Sequence, residues 1–275
     1  MENELKFSSE LVSLIKEKQE LSSLDDEFVY KILSSQTIEI PDKYKTFAQF
    51  RKSSACKKIV SETRKKLREV YGVFIRKPLA KLSTKDTNTI LQSHQSTHER
   101  FDYLEIIYEL LFDKLFALGL PKKFSLLDIA CGFTPFSLSY FPIKPTNYVA
   151  CDLSSQDMKS VQHFFDEQHQ KSITKAIDVV SDEFLLWVTS QKTNVCFLLK
   201  ALDSFEQRTR NSSKPILIAI PARFLVVSFA LRSIGGNAVI GAEKRTWFEK
   251  FCTKQNWAFE TIQVPNEIFY IVSKE

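Results

Sequence analysis

Apolar residues recur at helical spacing through the first 90 or so positions. From residue 121 onward they gather instead into short, unbroken runs. In the first part, ELVSLIKEKQEL sets Leu11, Leu14, Ile15 and Leu21 near one face of a helix. Asp25 or Asp26 is placed to cap the next, DDEFVYKILSS, whose Val29, Ile32 and Leu33 point inward and which Pro41 cuts off. AQFRKSSACKKIVSETRKKLREVYGVFIRK predicts one longer helix or two, ending at Pro78. Its apolar positions (Phe50, Ile59, Val60, Leu67, Val70, Val73, Phe74) alternate with Lys and Arg, which leaves a basic outer face. LSTKDTNTI reads as a loop with capping residues. An amphipathic helix over 97–118 follows, on Tyr103, Leu104, Ile107, Tyr108, Leu111, Phe112 and Leu115.

The runs of the second part predict strands: FSLLDIA (124–130), NYVACDLS (147–154), SITKAID (172–178), NVCFLLKAL (194–202) and FLVVSFAL (224–231). QDMKSVQHFFDEQHQ and DEFLLWVTSQ are helical stretches between them, and AEKRTWFEKFCTKQN (242–256) is a helix after them. Near-continuous apolar strands alternating with helices mean a mostly parallel sheet covered on both faces. AFETIQV (258–264) and EIFYIVSK (267–274) are separated only by Pro265 and Asn266, so they close the sheet as an antiparallel hairpin. The expected architecture is a Rossmann-like α/β fold of seven strands behind an N-terminal all-α domain. The boundary falls at residues 90 and 91, with 97–118 as the linking helix.

Net charge is only +5, but residues 43–85 carry 14 Lys and Arg against Glu62 and Glu69, a local balance of +12. A polyanion is the partner such asymmetry suggests, because few acids are at hand to form i,i+4 pairs. Arg51, Lys52, Lys57, Lys58, Arg64, Lys65, Lys66 and Arg68 are the candidate RNA contacts, with Lys57, Arg64 and Arg68 near one helical stripe. The five cysteines are scattered without a C-x-x-C, which reads as reduced core thiols in a cytosolic protein. No apolar run approaches a membrane span. MENELKFSSELVSLIKEK is acidic and amphipathic, which argues against a signal peptide. A cytoplasmic location is expected.

In a doubly wound sheet the ligand lies beyond the carboxyl ends of the strands. The sequence there is L-D-I-A-C-G-F-T-P-F, with Gly132 able to let the backbone approach a ligand. Asp152 ends the second strand and is placed to accept both hydroxyls of a ribose. Asp178, closing the third, is expected to reach an adenine amino group. A single glycine where a dinucleotide fold needs three points to a nucleoside without phosphates, and S-adenosylmethionine fits.

HQSTHER (94–100) precedes the linking helix. Ser96 and Glu99 have the spacing of a capping box. His94 and His98 have i,i+4 spacing but no further ligand nearby, so no metal is expected. Arg100 falls in the first turn, where the helix dipole disfavours a cation; a cation held there suits a ligand carboxylate.

Taken together, H-x-S-T-x-E-R, an aromatic-rich helix and L-D-I-A-C-G-F-T-P-F resemble the aminoglycoside-resistance 16S ribosomal RNA (guanine-N7) methyltransferases. KKLREVYGVFI (65–75), FLLKALDSFEQ (197–207), VVSFALRSIGG (226–236), TWFEKF and the closing PNEIFYI match further segments in the same order, over roughly residues 60–275. The resemblance implies a class I S-adenosylmethionine-dependent methyltransferase fold. It implies that Arg100 holds the cofactor carboxylate, Gly132 underlies the methionine part, Asp152 meets the ribose and Asp178 lies near the adenine. Ala130, Leu153 and Leu199 belong to the same implied cofactor lining. Lys200 matches a lysine beside the active pocket and Arg232 an arginine near the incoming RNA, the two implied catalytic positions. Without the resemblance, Lys200 reads as a solvated strand-end lysine and Arg232 as the residue before a Gly-Gly turn. Trp247 reads as core packing.

Three departures stand out, one of them Ala230 or Leu231 where the family has a proline before the arginine. The family's G-G-R-G-K-G-M loop is Gly235-Gly236-Asn237-Ala238-Val239-Ile240-Gly241 here, without its two basic residues, and its L-H is Leu67-Arg68. The implied reaction needs no general base, because guanine N7 carries an in-plane lone pair; positioning and extrusion of the base are the tasks. The implied partner is 16S RNA folded within the small ribosomal subunit, bound by a monomer. The alternatives are methylation of another RNA position, such as an adenine N1, a small-molecule methyltransferase, and an inactive RNA-binding relative.

Overall fold

In the computed structural model, which describes residues 6–83, 86–234 and 238–274, the apolar runs form one seven-stranded sheet. The strands are β1 (Ser125–Ile129), β2 (Asn147–Asp152), β3 (Ser172–Ala176), β4 (Val195–Leu199), β5 (Phe224–Ala230), β6 (Ala258–Val264) and β7 (Glu267–Ser273). Their order is β3-β2-β1-β4-β5-β7-β6. β1 to β5 run parallel, and β7 inserts antiparallel between β5 and β6, so that Ala230 faces Glu267. The chain steps outward from β1 to β3 and then returns to β4 on the other side of β1, which creates the switch point between β1 and β4.

Residues 6–120 hold α1 (Ser8–Lys16), α2 (Asp26–Ser34), α3 (Phe47–Arg51), α4 (Ser54–Val70), α5 (Thr87–Ser93), α6 (Gln95–Arg100) and α7 (Leu104–Ala117). α8 (Ser155–Glu167), α9 (Asp182–Thr189), α10 (Leu202–Arg208), α11 (Ser213–Ala219) and α12 (Thr246–Lys254) cover the sheet further along. Successive strand residues face opposite sides. Leu126, Tyr148 and Phe197 pack with α1 to α5, α7 and α8 in one apolar core. Leu127, Val149 and Cys196 pack with α9 to α12 in a second. The first core runs without a break from Leu11 to the sheet, and residue 90 lies inside α5. All five cysteines are buried and free.

Several local expectations change. The linking helix is broken: α6 ends at Arg100, a 3₁₀ turn spans Phe101–Tyr103, and α7 starts afresh, leaving Tyr103 at the surface. Arg100, the last residue of α6, points inward and is 2% exposed. The basic segment takes the two-helix form of the two expected, because the Ser53 hydroxyl accepts from the Cys56 N–H and starts α4. Val73 is exposed rather than core. LSTKDTNTI contains the start of α5, capped by Asp86, whose carboxylate accepts from the Thr89 N–H; Thr84 and Lys85 lie outside the described residues. α10, α11 and the 3₁₀ helix Thr134–Tyr140 were not foreseen.

Asp25 stands at the N-terminus of α2 but its side chain caps nothing there. It accepts instead from the N–H and hydroxyl of Ser155, which begins α8. Alongside, the Ser154 hydroxyl donates to the Ser23 carbonyl at 2.8 Å. The Tyr71 hydroxyl lies 2.7 Å from the Ser23 hydroxyl and donates to Asp157 in α8. A polar seam thus joins the helical region to the N-terminus of α8, where unpaired N–H groups favour such partners.

Burial pushes the Asp157 carboxyl up to about 7, against the pull of the Tyr71 bond. Burial likewise takes Asp128 to about 7, although it accepts from the Tyr148 hydroxyl. Both values exceed the ~3.9 of an unfolded aspartate, so the folded chain binds more protons than the unfolded chain between the two. Stability from these groups is full below about pH 4 and declines as pH rises through about 7. Thermal melting followed from about pH 5 to pH 8 should show the decline, and Asp157→Asn should lower its slope by up to about one proton.

Candidate active site

The loops after β1, β2 and β4 converge on one cavity. Ala130, Gly132, Asp152, Leu153, Leu199 and Lys200 all line it, and Tyr71, Phe74, Ile75 and His94 close it from the helical side. The β1 loop turns sharply: Ala130 and Gly132 both have positive φ, 52° and 49°. The turn aims the Gly132 N–H at Asp152 Oδ2, 2.7 Å away, while Asp152 Oδ1 accepts from the Leu153 N–H. Burial raises the Asp152 carboxyl and these two N–H groups pull it back.

His94 lies over Gly132: a Cβ there would meet His94 Cε1 at 2.8 Å. Its ring stacks on Phe74, with centroids 5.9 Å apart, and tilts against Phe133 at 4.8 Å. Burial, and then the charges of Arg100 and Lys200, depress its pKa to about 3, so the imidazole is neutral. Its Nδ1 is 2.9 Å from the Ser96 hydroxyl. The capping box is therefore not formed. Ser96 serves His94, and Glu99 accepts from Gln95 Nε2 and Lys200 Nζ at 2.7 and 2.5 Å. No side chain caps α6; the Thr97 hydroxyl instead donates to the carbonyls of Leu91 and His94, tying the start of α6 back to α5.

Arg100 does not line the cavity but lies buried behind it. Its Nε donates to Glu267 Oε2 at 2.8 Å. Both terminal guanidinium nitrogens are buried and without a partner. Lys200 Nζ sits 3.3 Å from the same Glu267 oxygen, and its side chain is 7% exposed, so it is not a solvated lysine. Lys200 also has positive φ, 57°, with its N–H donating to the Ser228 hydroxyl at 2.9 Å. Burial alone would raise the Glu267 carboxyl; Arg100 and Lys200 outweigh it and hold the group below the usual range.

Asp178 departs from its expected position. It lies past the end of β3 and does not line the cavity. Arg208 grips it through both terminal nitrogens, at 2.6 and 2.8 Å, and Lys31 of α2 adds a third contact at 3.1 Å. Burial raises its carboxyl, but these partners lower it overall. With His94 over Gly132 and Arg208 drawn to Asp178, the free space is about 80 Å³. That is less than the ~300 Å³ of an ordinary ligand pocket. Among the described residues, no cluster is placed to hold a metal ion and no helix is long and apolar enough to cross a membrane.

The eight basic candidates of α3 and α4 divide. Lys52, Lys57, Lys58, Lys65 and Lys66 are exposed. Arg51 pairs with Glu17, and Arg68 with Glu20, at 2.9 and 2.8 Å. Arg64 donates to the carbonyls of Leu14 and Ile15. The counter-ions missing from 43–85 are thus supplied by α1 and the turn after it. Lys57, Arg64 and Arg68 do share a stripe, lining one groove of about 420 Å³ with Arg51. Arg232 is exposed just beyond β5, bridged to Val239, and Trp247 packs half-buried on Phe229 and Phe248. Of the altered loop, Gly235, Gly236 and Asn237 lie outside the described residues.

A model of the family described as ribosomal RNA methyltransferase (FmrO) matches residues 48–271. The chain belongs to this family. The resemblance read from the motifs is therefore borne out. A 16S rRNA (guanine(1405)-N(7))-methyltransferase of Frankia casuarinae is 26% identical over 235 residues, covering 78% of this chain and 80% of its own. One from Serratia marcescens is 25% identical over 224 residues, covering 79% and 84%. The 16S rRNA methyltransferase RmtF, solved with S-adenosyl-L-homocysteine, superposes with a TM-score of 0.73 at 20% identity over 99% of this chain and 100% of its own. The 16S rRNA methylase RmtB gives 0.69 at 21%, covering 98% of each. Both carry the same fold.

Sequence reasoning placed Ala130, Gly132, Asp152, Leu153, Leu199 and Lys200 on the cavity of this methyltransferase, but missed His94, Asp157 and Arg208 on its lining and the Glu99 and Glu267 carboxylates that hold Lys200. Glu267 carried a signal, since it sits within the matched closing segment. Gly132→Ala should cost about 1–3 kcal/mol through its positive φ and the contact with His94. The double variant with His94→Ala should recover part of that loss in thermal melting.

Proposed function

We propose that this chain transfers a methyl group from S-adenosylmethionine to the N7 of a guanine in 16S ribosomal RNA of the small subunit. We place the target in the aminoglycoside-binding decoding site and read the consequence as aminoglycoside resistance. The observation that carries the cofactor reading is the pair of buried, unpartnered guanidinium nitrogens of Arg100. Such groups are costly unless a ligand meets them, and a carboxylate is their natural complement. The tight turn at Ala130 and Gly132, beside the Asp152 carboxylate, suits a nucleoside in the same cavity.

In this reading Arg100 holds the methionine carboxylate. Asp152 turns from its backbone N–H donors toward the ribose hydroxyls, while Gly132, Ala130, Leu153 and Leu199 wall the cofactor. Asp178 takes the adenine amino group only once Arg208 releases it. S-adenosylmethionine bound there supplies an electrophilic sulfonium methyl to an in-plane lone pair that needs no deprotonation. The chain's own residues then have to position the base and exclude water. Lys200, held by Glu99 and Glu267, lies at the cavity wall where a flipped base arrives, and Arg232 stands outside on the side from which RNA approaches. Neutral His94 adds no like charge beside the cationic product.

Residues 1–90 are read as the RNA-docking domain and 91–275 as the methyltransferase domain, acting as a monomer in the cytoplasm. Extruding a paired guanine costs a few kcal/mol, which phosphate contacts from the exposed lysines of α3 and α4 offset. Incubation of small subunits with enzyme and cofactor, followed by mass mapping of the RNA, should reveal a single 7-methylguanine. Modification of another base, or of none, refutes the assignment. Lys65→Glu with Lys66→Glu should abolish subunit binding and leave cofactor binding within about twofold, since neither residue lies near the cavity. Equal subunit binding by the double variant would remove the basic face from the proposal.

A further inference from the structure

We propose that Glu267 is a positioning residue that aims the free guanidinium fork of Arg100 at the amino-acid carboxylate of the cofactor. This deepens the cofactor reading above and rests on it. Three observations converge on Glu267. It is 1% exposed, and Arg100, its partner, is 2% exposed, so the pair is sealed from water. Glu267 engages Arg100 through Nε alone, at 2.8 Å, which leaves both terminal nitrogens unpartnered. An arginine held by Nε has its plane and direction set, and its remaining two donors form a fork that matches a carboxylate.

The second observation is the balance of charge. Glu267 also lies 3.3 Å from Lys200 Nζ, and Glu99 lies 2.5 Å from that same ammonium. Two carboxylates and two cations therefore form a line, Arg100–Glu267–Lys200–Glu99. Glu267 is the member shared by both cations, so it sets the distance between the carboxylate-binding end and the cavity wall.

The third is how Glu267 is itself held. It is the first residue of β7, directly across from Ala230 at the end of β5. Its other oxygen accepts from the Ser228 hydroxyl, and that hydroxyl also accepts from the Lys200 N–H. The carboxylate is thus fixed by sheet register and by the backbone of the β4 loop.

The inference is tested by calorimetry on the full chain and on Glu267→Gln, with S-adenosylhomocysteine and with 5′-methylthioadenosine, which keeps the nucleoside but lacks the amino-acid carboxylate. A positioning role predicts roughly tenfold weaker binding of S-adenosylhomocysteine by the variant, with methylthioadenosine held within about twofold. Equal losses for both ligands mean a merely structural role and overturn the inference, as does no loss for either. If Glu267→Gln does not fold, Glu267→Asp keeps the charge but withdraws it by one methylene, and is judged by the same contrast. A wild-type chain that binds neither ligand refutes the cofactor reading itself. One that binds both equally retains the nucleoside site and removes the carboxylate role of Arg100, and with it this inference.

Discussion

Arg100, buried behind the cavity, and Lys200, on its wall, need anions close by, and Glu267 is the one they share. Removing an ionised group from water costs several kcal/mol unless a partner is close and well aligned. Arg100 and Lys200 come from α6 and the end of β4, far apart in sequence from the strand that carries Glu267. The antiparallel insertion of β7 between β5 and β6 therefore has a consequence at the site. It brings the Glu267 carboxylate within reach of both cations.

The helical region is joined to the sheet in two ways that differ in chemistry. An unbroken apolar core, from Leu11 through Phe112 to Phe197, supplies the adhesion. The polar seam of Asp25, Ser155, Tyr71 and Asp157 supplies direction, because its bonds are satisfied only in one placement of α8 against the helices. Tyr71 and Phe74 belong to the basic segment and also close the cavity. α4 has two faces with separate roles. Arg64 and Arg68 tie it to the first helices, while Lys57, Lys58, Lys65 and Lys66 face solvent.

Much of this was legible in the chain. The seven strands, their mixed direction and the closing hairpin follow from apolar runs, because a central strand buried on both faces cannot tolerate polar residues. The strand-end positions Gly132, Asp152 and Lys200 follow from the fold's own rule that ligands gather at the carboxyl ends. Other features were not legible. S-x-x-E has the spacing of a capping box, yet Ser96 is drawn to a histidine and Glu99 to a lysine 101 positions away. Asp178 ends a strand segment like Asp152, but Arg208 from α10, a helix the periodicity did not reveal, reaches it first.

The difference has one physical source. Local spacing governs which residues are buried and which element they form, since burial of an apolar stripe depends on neighbours three, four or two positions along. The family, the sheet and the basic outer face are therefore written in the linear pattern. The partner of a given charged group is chosen by whatever the folded chain brings within about 3 Å, and for Arg100, Lys200, Asp25 and Asp178 that partner lies far away along the chain. The packing of α6, α8, α10 and β7 around one cavity made those choices, and no spacing within the chain could have announced them.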